Sequence, residues 1–306
     1  MDQAEQLRRI IKAGNTKKRP LARIITVTSG KGGVGKSNVA INLAIQFRRM
    51  GQRVIILDAD FGLANIEIMF GTIPKHNLSD LIYQGKNIKD IITWGPEGVG
   101  FISGGSGISG MYNLSRNYLE YIIVNLAELD AIADTIIIDT GAGISSAVMD
   151  FLVASGEIIL VTTPEPTSIT DSYSLLKALN QQPRFLRDST KIKVASNRVA
   201  SAEEGQQLFN KLNAVVARYL KLPLTYLGAI PQDQMLARGV MQQSPVSIQY
   251  PNSKSSKAFE QIARSLVNKD VDNEYKPRGM AAFFSHIITG RKLNSEKNTG
   301  DKASGQ

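Results

Sequence analysis

From Ala22 onward, short unbroken apolar runs alternate with longer stretches whose apolar residues recur every three to four positions. RIITVTS, RVIILD, VGFIS, DTIIID, EIILVTT, KIKVAS and PLTYLGAI are continuous rather than alternating. Such runs suit strands buried on both faces, as in a parallel sheet. Between them, SNVAINLAIQFRRM (closed by Gly51), RNYLEYIIVNLAEL, SITDSYSLLKALN and EEGQQLFNKLNAVVARYL read as amphipathic helices. The alternation predicts a doubly wound α/β domain, a mainly parallel sheet flanked by helices. The runs spread over about 210 residues, which favours one domain over two.

The ends follow a different pattern. Residues 1–20 form a polar and basic arm, in which DQAEQLRRIIKA can make helical turns with Ala4, Leu7, Ile10 and Ile11 on one face. GNTKKRP then breaks the pattern, so the arm is expected to stand apart from a main domain at 21–268. Beyond the polar linker KDVDNEYKP, Met280, Phe283, Phe284, Ile287 and Ile288 fall at i, i+3, i+4, i+7 and i+8. They make one apolar stripe, with Arg278, Arg291 and Lys292 at its ends. Residues 269–293 are thus read as linker plus amphipathic helix, and 294–306 as a disordered tail. The stripe suits either a membrane interface or packing on the core, and the linker favours a detachable element.

Composition narrows the chemistry. The 306 residues include no cysteine, which excludes disulfides, thiolate catalysis and cysteine-ligated clusters. The two histidines, His76 and His286, make a histidine-based zinc site a poor expectation. No apolar run reaches the roughly 18 to 20 residues that span a bilayer, and no signal-peptide stretch is seen, so a cytoplasmic location is expected. A net charge of +9 favours anionic partners: nucleic acid, nucleotide phosphates or anionic lipid.

Residues 29–37, SGKGGVGKS, decide among these. Gly30, Gly35, Lys36 and Ser37 fit G-x-x-x-x-G-K-[ST] between a strand and a helix. Its glycines let backbone N–H groups, including those of Gly32, Gly33, Val34 and Asn38, surround phosphate oxygens at a helix N-terminus. Lys36 is expected on the β and γ phosphates and Ser37 on Mg²⁺. Lys31 is one lysine more than the loop needs. With the backbone wrapped around the phosphates it cannot easily curl back. It is either a solvated side chain or one that reaches a nucleotide held by a second subunit.

K-G-G-x-G-K-[ST] resembles the deviant Walker A motif of the MinD/ParA family. VIILDADFGLANIEIMFG (54–71), TIIIDTGAG (135–143), KIKVASNRV (191–199) and GAIPQD (228–233) extend the resemblance over roughly residues 22–267. It implies an ATPase whose ATP-bridged homodimer is crossed by Lys31, with ATP and Mg²⁺ as cofactors. It further implies that Asp60 orients the attacking water, Asp58 and Asp139 serve the Mg²⁺ shell, and Gly141 approaches the γ phosphate. Asn197, Pro231 and Asp233 would frame adenine. SNRV stands where a small GTPase shows N-K-x-D, so ATP is favoured over GTP.

Within that family, the absence of cysteine excludes a nitrogenase-type iron protein, and the lack of a dense basic run in the core makes DNA an unlikely partner. The C-terminal stripe resembles the membrane helix of MinD-type members. DQAEQLR (2–8) matches the D-Q-A-x-x-L-R signature of the FlhG branch, regulators of flagellar number and placement. That resemblance implies that the arm stimulates the signal-recognition-type GTPase FlhF. Gln3 would enter the partner's active site, Asp2 and Arg8 would anchor the helix, and Leu7 completes the motif. It also implies a flagellar switch protein as partner, slow hydrolysis, and peripheral association with the inner face of the cell membrane. The alternative is a cell-division or DNA-partition positioning ATPase.

Overall fold

The computed structural model describes residues 21–60, 65–104, 116–268 and 279–287. Asp2, Gln3, Leu7, Arg8 and Ile288 lie outside the described residues.

Eight strands form one sheet: β1 (Arg23–Thr28), β2 (Val54–Ala59), β3 (Thr93–Trp94), β4 (Gly100–Ser103), β5 (Thr135–Thr140), β6 (Glu157–Thr162), β7 (Lys191–Val199) and β8 (Leu224–Pro231). Their order is β3-β4-β2-β5-β1-β6-β7-β8. Every pairing is parallel except β3 with β4. Seven strands are those the apolar runs predict. The eighth, β3, has only two residues, too few to show a pattern, and is held by antiparallel pairing of Thr93 with Phe101 and Trp94 with Gly100.

The helices are α1 (Lys36–Arg49), α2 (Asn65–Phe70), α3 (Leu78–Gln84), α4 (Arg116–Ala127), α5 (Leu129–Ile132), α6 (Ser146–Ala154), α7 (Pro166–Asn180), α8 (Ala202–Tyr219), α9 (Gln234–Met241), α10 (Val246–Gln249), α11 (Lys254–Asn268) and α12 (residues 279–287). Gly51 follows α1 with φ +87°, as its reading as a helix stop requires.

Both faces of the sheet are covered, which is why its strands are apolar throughout. Ile25, Val27, Val54 and Ile56 face one core with α1 and with Phe259 and Ile262 of α11. Their neighbours Ile24, Ile55 and Leu57 face a second core. That second core contains α12. Met280, Phe283, Phe284 and Ile287 are all buried there, with both phenylalanine rings about Phe151 of α6 at 6.0 and 6.4 Å. The four described residues of the stripe are thus inside the protein, and of its two expected fates core packing is the one they show. Each end of α12 is also held. Asp130 accepts the Met280 N–H at 3.1 Å, and Arg184 donates to the His286 carbonyl. An acid at the N-terminus and a base at the C-terminus complement the helix dipole. Asp130 also accepts the Ala22 N–H, so the roots of β1 and α12 meet at one carboxylate.

Candidate nucleotide site

The site stands at the carboxyl ends of the parallel strands, where open α/β sheets bind ligands. The chain leaves β1 at Thr28 and turns through residues 29–35 into α1, with Gly33 at φ +77° and Gly35 at φ +92° as its N-cap. Two contacts fix the turn from outside. A Cβ on Gly30 would stand 2.2 Å from the Asp171 carbonyl carbon in α7, so only glycine fits there. Gly143 donates its N–H to the Ser29 carbonyl at 2.9 Å, which ties the loop after β5 to the phosphate loop.

Lys36 is buried, with Nζ 3.1 Å from Asp139 Oδ1 at the end of β5. Asp139 is fully buried and its Oδ2 has no hydrogen-bond partner. Burial raises its pKa, while Lys36 and the Ser37 hydroxyl act in the opposite direction. Asp58 pairs in register with Asp139 across β2 and β5. Burial and the Asp139 charge push Asp58 up to about 7. Its two oxygens accept the Asp60 and Ile66 N–H groups at 3.1 and 3.3 Å, so Asp58 also shapes the turn out of β2. Asp60 accepts from Asn65 at 3.3 Å and lies beside Gly141, where an added Cβ would be 3.6 Å from Asp60 Oδ1. Asp58, Asp60, Asp139 and Gly141 therefore converge with Lys36 and Ser37.

This arrangement fits Mg²⁺. A buried carboxylate oxygen without a partner, beside a second carboxylate whose pKa is raised by burial and by the Asp139 charge, is a cation-shaped deficit. Among the described residues no group of three or more His, Cys, Asp or Glu is placed to hold a metal by itself. That suits an ion that keeps waters and takes the rest of its ligands from phosphates.

Lys31 goes the other way. Its Nζ is 2.6 Å from Glu165 Oε2 and 2.9 Å from Thr167 Oγ1, on the exposed rim formed by the start of α7. The hydrogen bond and charge of Lys31 hold Glu165 below the usual carboxylate range. Sequence reading missed both partners, because an acid ahead of a helix, as in TPEPT, reads as a helix start.

The adenine-side residues differ from expectation in what their side chains do. Asn197 lies two residues before the end of β7 and Pro231 ends β8, and their chain neighbours Arg198 and Gln232 line a cavity of about 460 Å³ with Thr163, Glu165 and Glu204. Asn197 itself is buried and donates to the Val34 carbonyl of the phosphate loop at 2.7 Å. Asp233 caps α9 through the Met235 N–H and takes the Ser255 N–H and hydroxyl at 2.9 and 2.8 Å. Although burial opposes it, those donors keep its carboxyl low. Arg198, Glu204 and Gln232, which the sequence did not single out, line the cavity.

A family model described as the CobQ/CobB/MinD/ParA nucleotide binding domain matches residues 25–246, and the chain belongs to that family. Its class is the MinD/ParA-type P-loop ATPase. Within it, the chain is 38% identical over 273 residues to Antiactivator FleN of Pseudomonas aeruginosa, covering 88% of this chain and 95% of that protein. It is 34% identical over 281 residues to the flagellum site-determining protein YlxH of Helicobacter pylori, covering 90% of each. Among solved structures, the septum site-determining protein MinD of Pyrococcus horikoshii, complexed with Mg-ADP, superposes with a TM-score of 0.64 at 24% identity. It covers 83% of this chain and 100% of that one. Among the described residues no helix is long and apolar enough to cross a membrane.

Proposed function

We propose that this chain is an ATP-switched dimer that regulates flagellar number or placement. The observation that carries the switch is the opposite placement of the two loop lysines. Lys36 is buried on Asp139 inside the site, while Lys31 sits at the rim on a partner it can exchange. ATP and Mg²⁺ are the cofactors this site fits. The loop N–H groups of residues 30–38 and Lys36 bind the phosphates, and Ser37 and Asp139, with Asp58 behind, hold the ion. Bound Mg²⁺ neutralises the phosphates and so favours charge transfer to the leaving group. Asp60 holds the water that attacks the γ phosphorus; the bond to the β-phosphate oxygen breaks, giving ADP and phosphate. Lys31 leaves Glu165 and reaches the phosphates of a second copy.

The flagellar reading rests on the likeness to Antiactivator FleN and flagellum site-determining YlxH, together with the DQAEQLR arm. In this reading Asp2, Gln3, Leu7 and Arg8 engage an FlhF-type GTPase, and a flagellar switch protein is a further partner. The ATP dimer sits peripherally on the inner face of the cell membrane through Met280, Phe283, Phe284, Ile287 and Ile288. Reaching lipid requires α12 to leave its groove. The test is a peptide of residues 1–20 added to the GTPase. It should raise GTP hydrolysis without the ATPase domain, and Gln3→Ala should abolish the rise. No stimulation by the native peptide would leave a division or partition ATPase as the better reading.

A further inference from the structure

Asp130 of α5 stands between two segments that are far apart in the chain. Its Oδ1 accepts the Ala22 N–H at 3.4 Å, and its two oxygens accept the Met280 N–H at 3.1 and 3.2 Å. Ala22 is buried beside the start of β1 and joins, through Leu21, to residues 1–20. Met280 is the first residue of the buried α12 stripe. Gly279 closes the contact. It has φ +70°, and a Cβ there would stand 2.6 Å from Asp130 Oδ2 and 3.0 Å from Leu21 Cδ2. The start of α12 therefore lies against Leu21 as well as against the carboxylate that holds Ala22.

With both donors in place the Asp130 side chain is fixed. When Met280 leaves, the carboxylate loses its shorter hydrogen bonds and gains rotamer freedom, and the Ala22 N–H keeps only the longest of the three contacts. Leu21 loses the backbone it rests on at the same moment. We propose that Asp130 and Gly279 form a clamp through which the seated α12 fixes the root of the N-terminal arm, so that release of α12 also frees the arm. Such coupling is reciprocal: whatever draws Leu21 and Ala22 away favours release of the helix. The proposal rests on the reading of the arm as the GTPase-binding element and of α12 as the lipid-binding one. It makes the two interactions cooperative, because the protein on lipid is the one whose arm is free.

Amide hydrogen exchange in the full chain tests it, read at Ala22 while α12 is perturbed. Gly279→Ala sets a methyl group against Asp130, and the carboxylate yields by turning away from both N–H groups. Ala22 should then exchange about tenfold faster, the worth of one hydrogen bond, and Met280 with it. The same rise at Ala22 is expected in wild-type protein with ATP on vesicles containing phosphatidylglycerol, and no rise with phosphatidylcholine vesicles. Faster exchange at Met280 in Gly279→Ala with native exchange at Ala22 would overturn the clamp. Should that variant not fold, the vesicles decide: lipid-bound wild type with native exchange at Ala22 would overturn the clamp equally. Failure of the readings beneath it looks different. Wild-type protein that stays off both vesicles would overturn the lipid reading, and Gly279→Ala then decides the clamp alone. An arm peptide that leaves GTP hydrolysis unchanged would overturn the GTPase reading, while exchange at Ala22 still reports the clamp.

Discussion

Lys31 and Glu165 form an ion pair, 2.6 Å from Nζ to Oε2, across the rim of the phosphate loop. The same ammonium cannot serve Glu165 and the phosphates of a second subunit together, so in the proposed ATP-bridged dimer the pair would have to open. Both side chains are well exposed, and exposed pairs are weak. Glu165→Ala should therefore tighten the ATP-dependent dimer by no more than about fivefold, while Lys31→Ala should abolish it with ATP binding retained. Sedimentation against protein concentration reads both. A Lys31→Ala dimer of native strength would remove the bridging role.

In the proposed reading Asp60 and Lys36 act on different steps, so their variants should separate. Asp60→Ala keeps the loop, Lys36 and Asp139, so it should bind ATP, lose hydrolysis by about 10²-fold or more, and accumulate as dimer. Lys36→Gln leaves Asp139 buried without its cation and removes the phosphate contact. It should lose nucleotide and stay monomeric. Asp60→Ala that remains monomeric with ATP would contradict the ATP-bridged dimer.

Much of this site was legible because its parts are consecutive in sequence. The loop, the strand-ending Asp139 and the Asp58/Asp60 turn each sit in a local pattern that names its own chemistry. What a side chain meets across the fold was not legible. Asn197 meets Val34 and Asp233 meets Ser255, partners far along the chain that no local pattern announces. Helix α6 was missed because SAVMDFLVA is apolar almost all round and runs on toward the apolar stretch of β6. The periodicity of α12 revealed a stripe but not the groove beside Phe151 that covers it.

Stability has its own ionic centre at the opposite end of the sheet. Glu157 is buried against Arg23, with two contacts of 2.8 Å, and against Lys193 at 2.6 Å. Burial alone would raise its pKa, but the two cations outweigh it and hold it low. A depressed carboxylate contributes stability above its unfolded pKa of about 4.3, and that stability is lost as pH falls through the lower folded value. Glu157→Gln removes the buried negative charge that Arg23 and Lys193 share and should cost about 3 to 5 kcal/mol at pH 7. The loss should shrink in acid, where the wild type surrenders the same interaction. Denaturant melts at pH 7 and at about pH 3 measure it; an equal loss at both would mean that charge is not the cause.

The last prediction concerns release of α12. Four buried apolar side chains hold it, each worth about 1.5 to 3 kcal/mol, so the groove competes directly with a lipid interface that buries the same stripe only partly. The contacts at its ends tip that balance without touching the stripe. Arg184 caps the His286 carbonyl and reaches Asp150 of α6, the helix that follows the Gly141–Gly143 loop beside the site. If nucleotide binding shifts that loop, α6 would carry the shift to the clasp. Arg184→Ala and Asp130→Ala should loosen α12 and raise flotation with anionic liposomes even in ADP. Phe283→Glu should abolish flotation in ATP while dimerisation persists. Two helices on one dimer gain about 10² to 10⁴ in avidity, so wild-type protein should float in ATP and little in ADP. Flotation that is the same in both nucleotides and unmoved by Arg184→Ala would leave α12 a permanent part of the core.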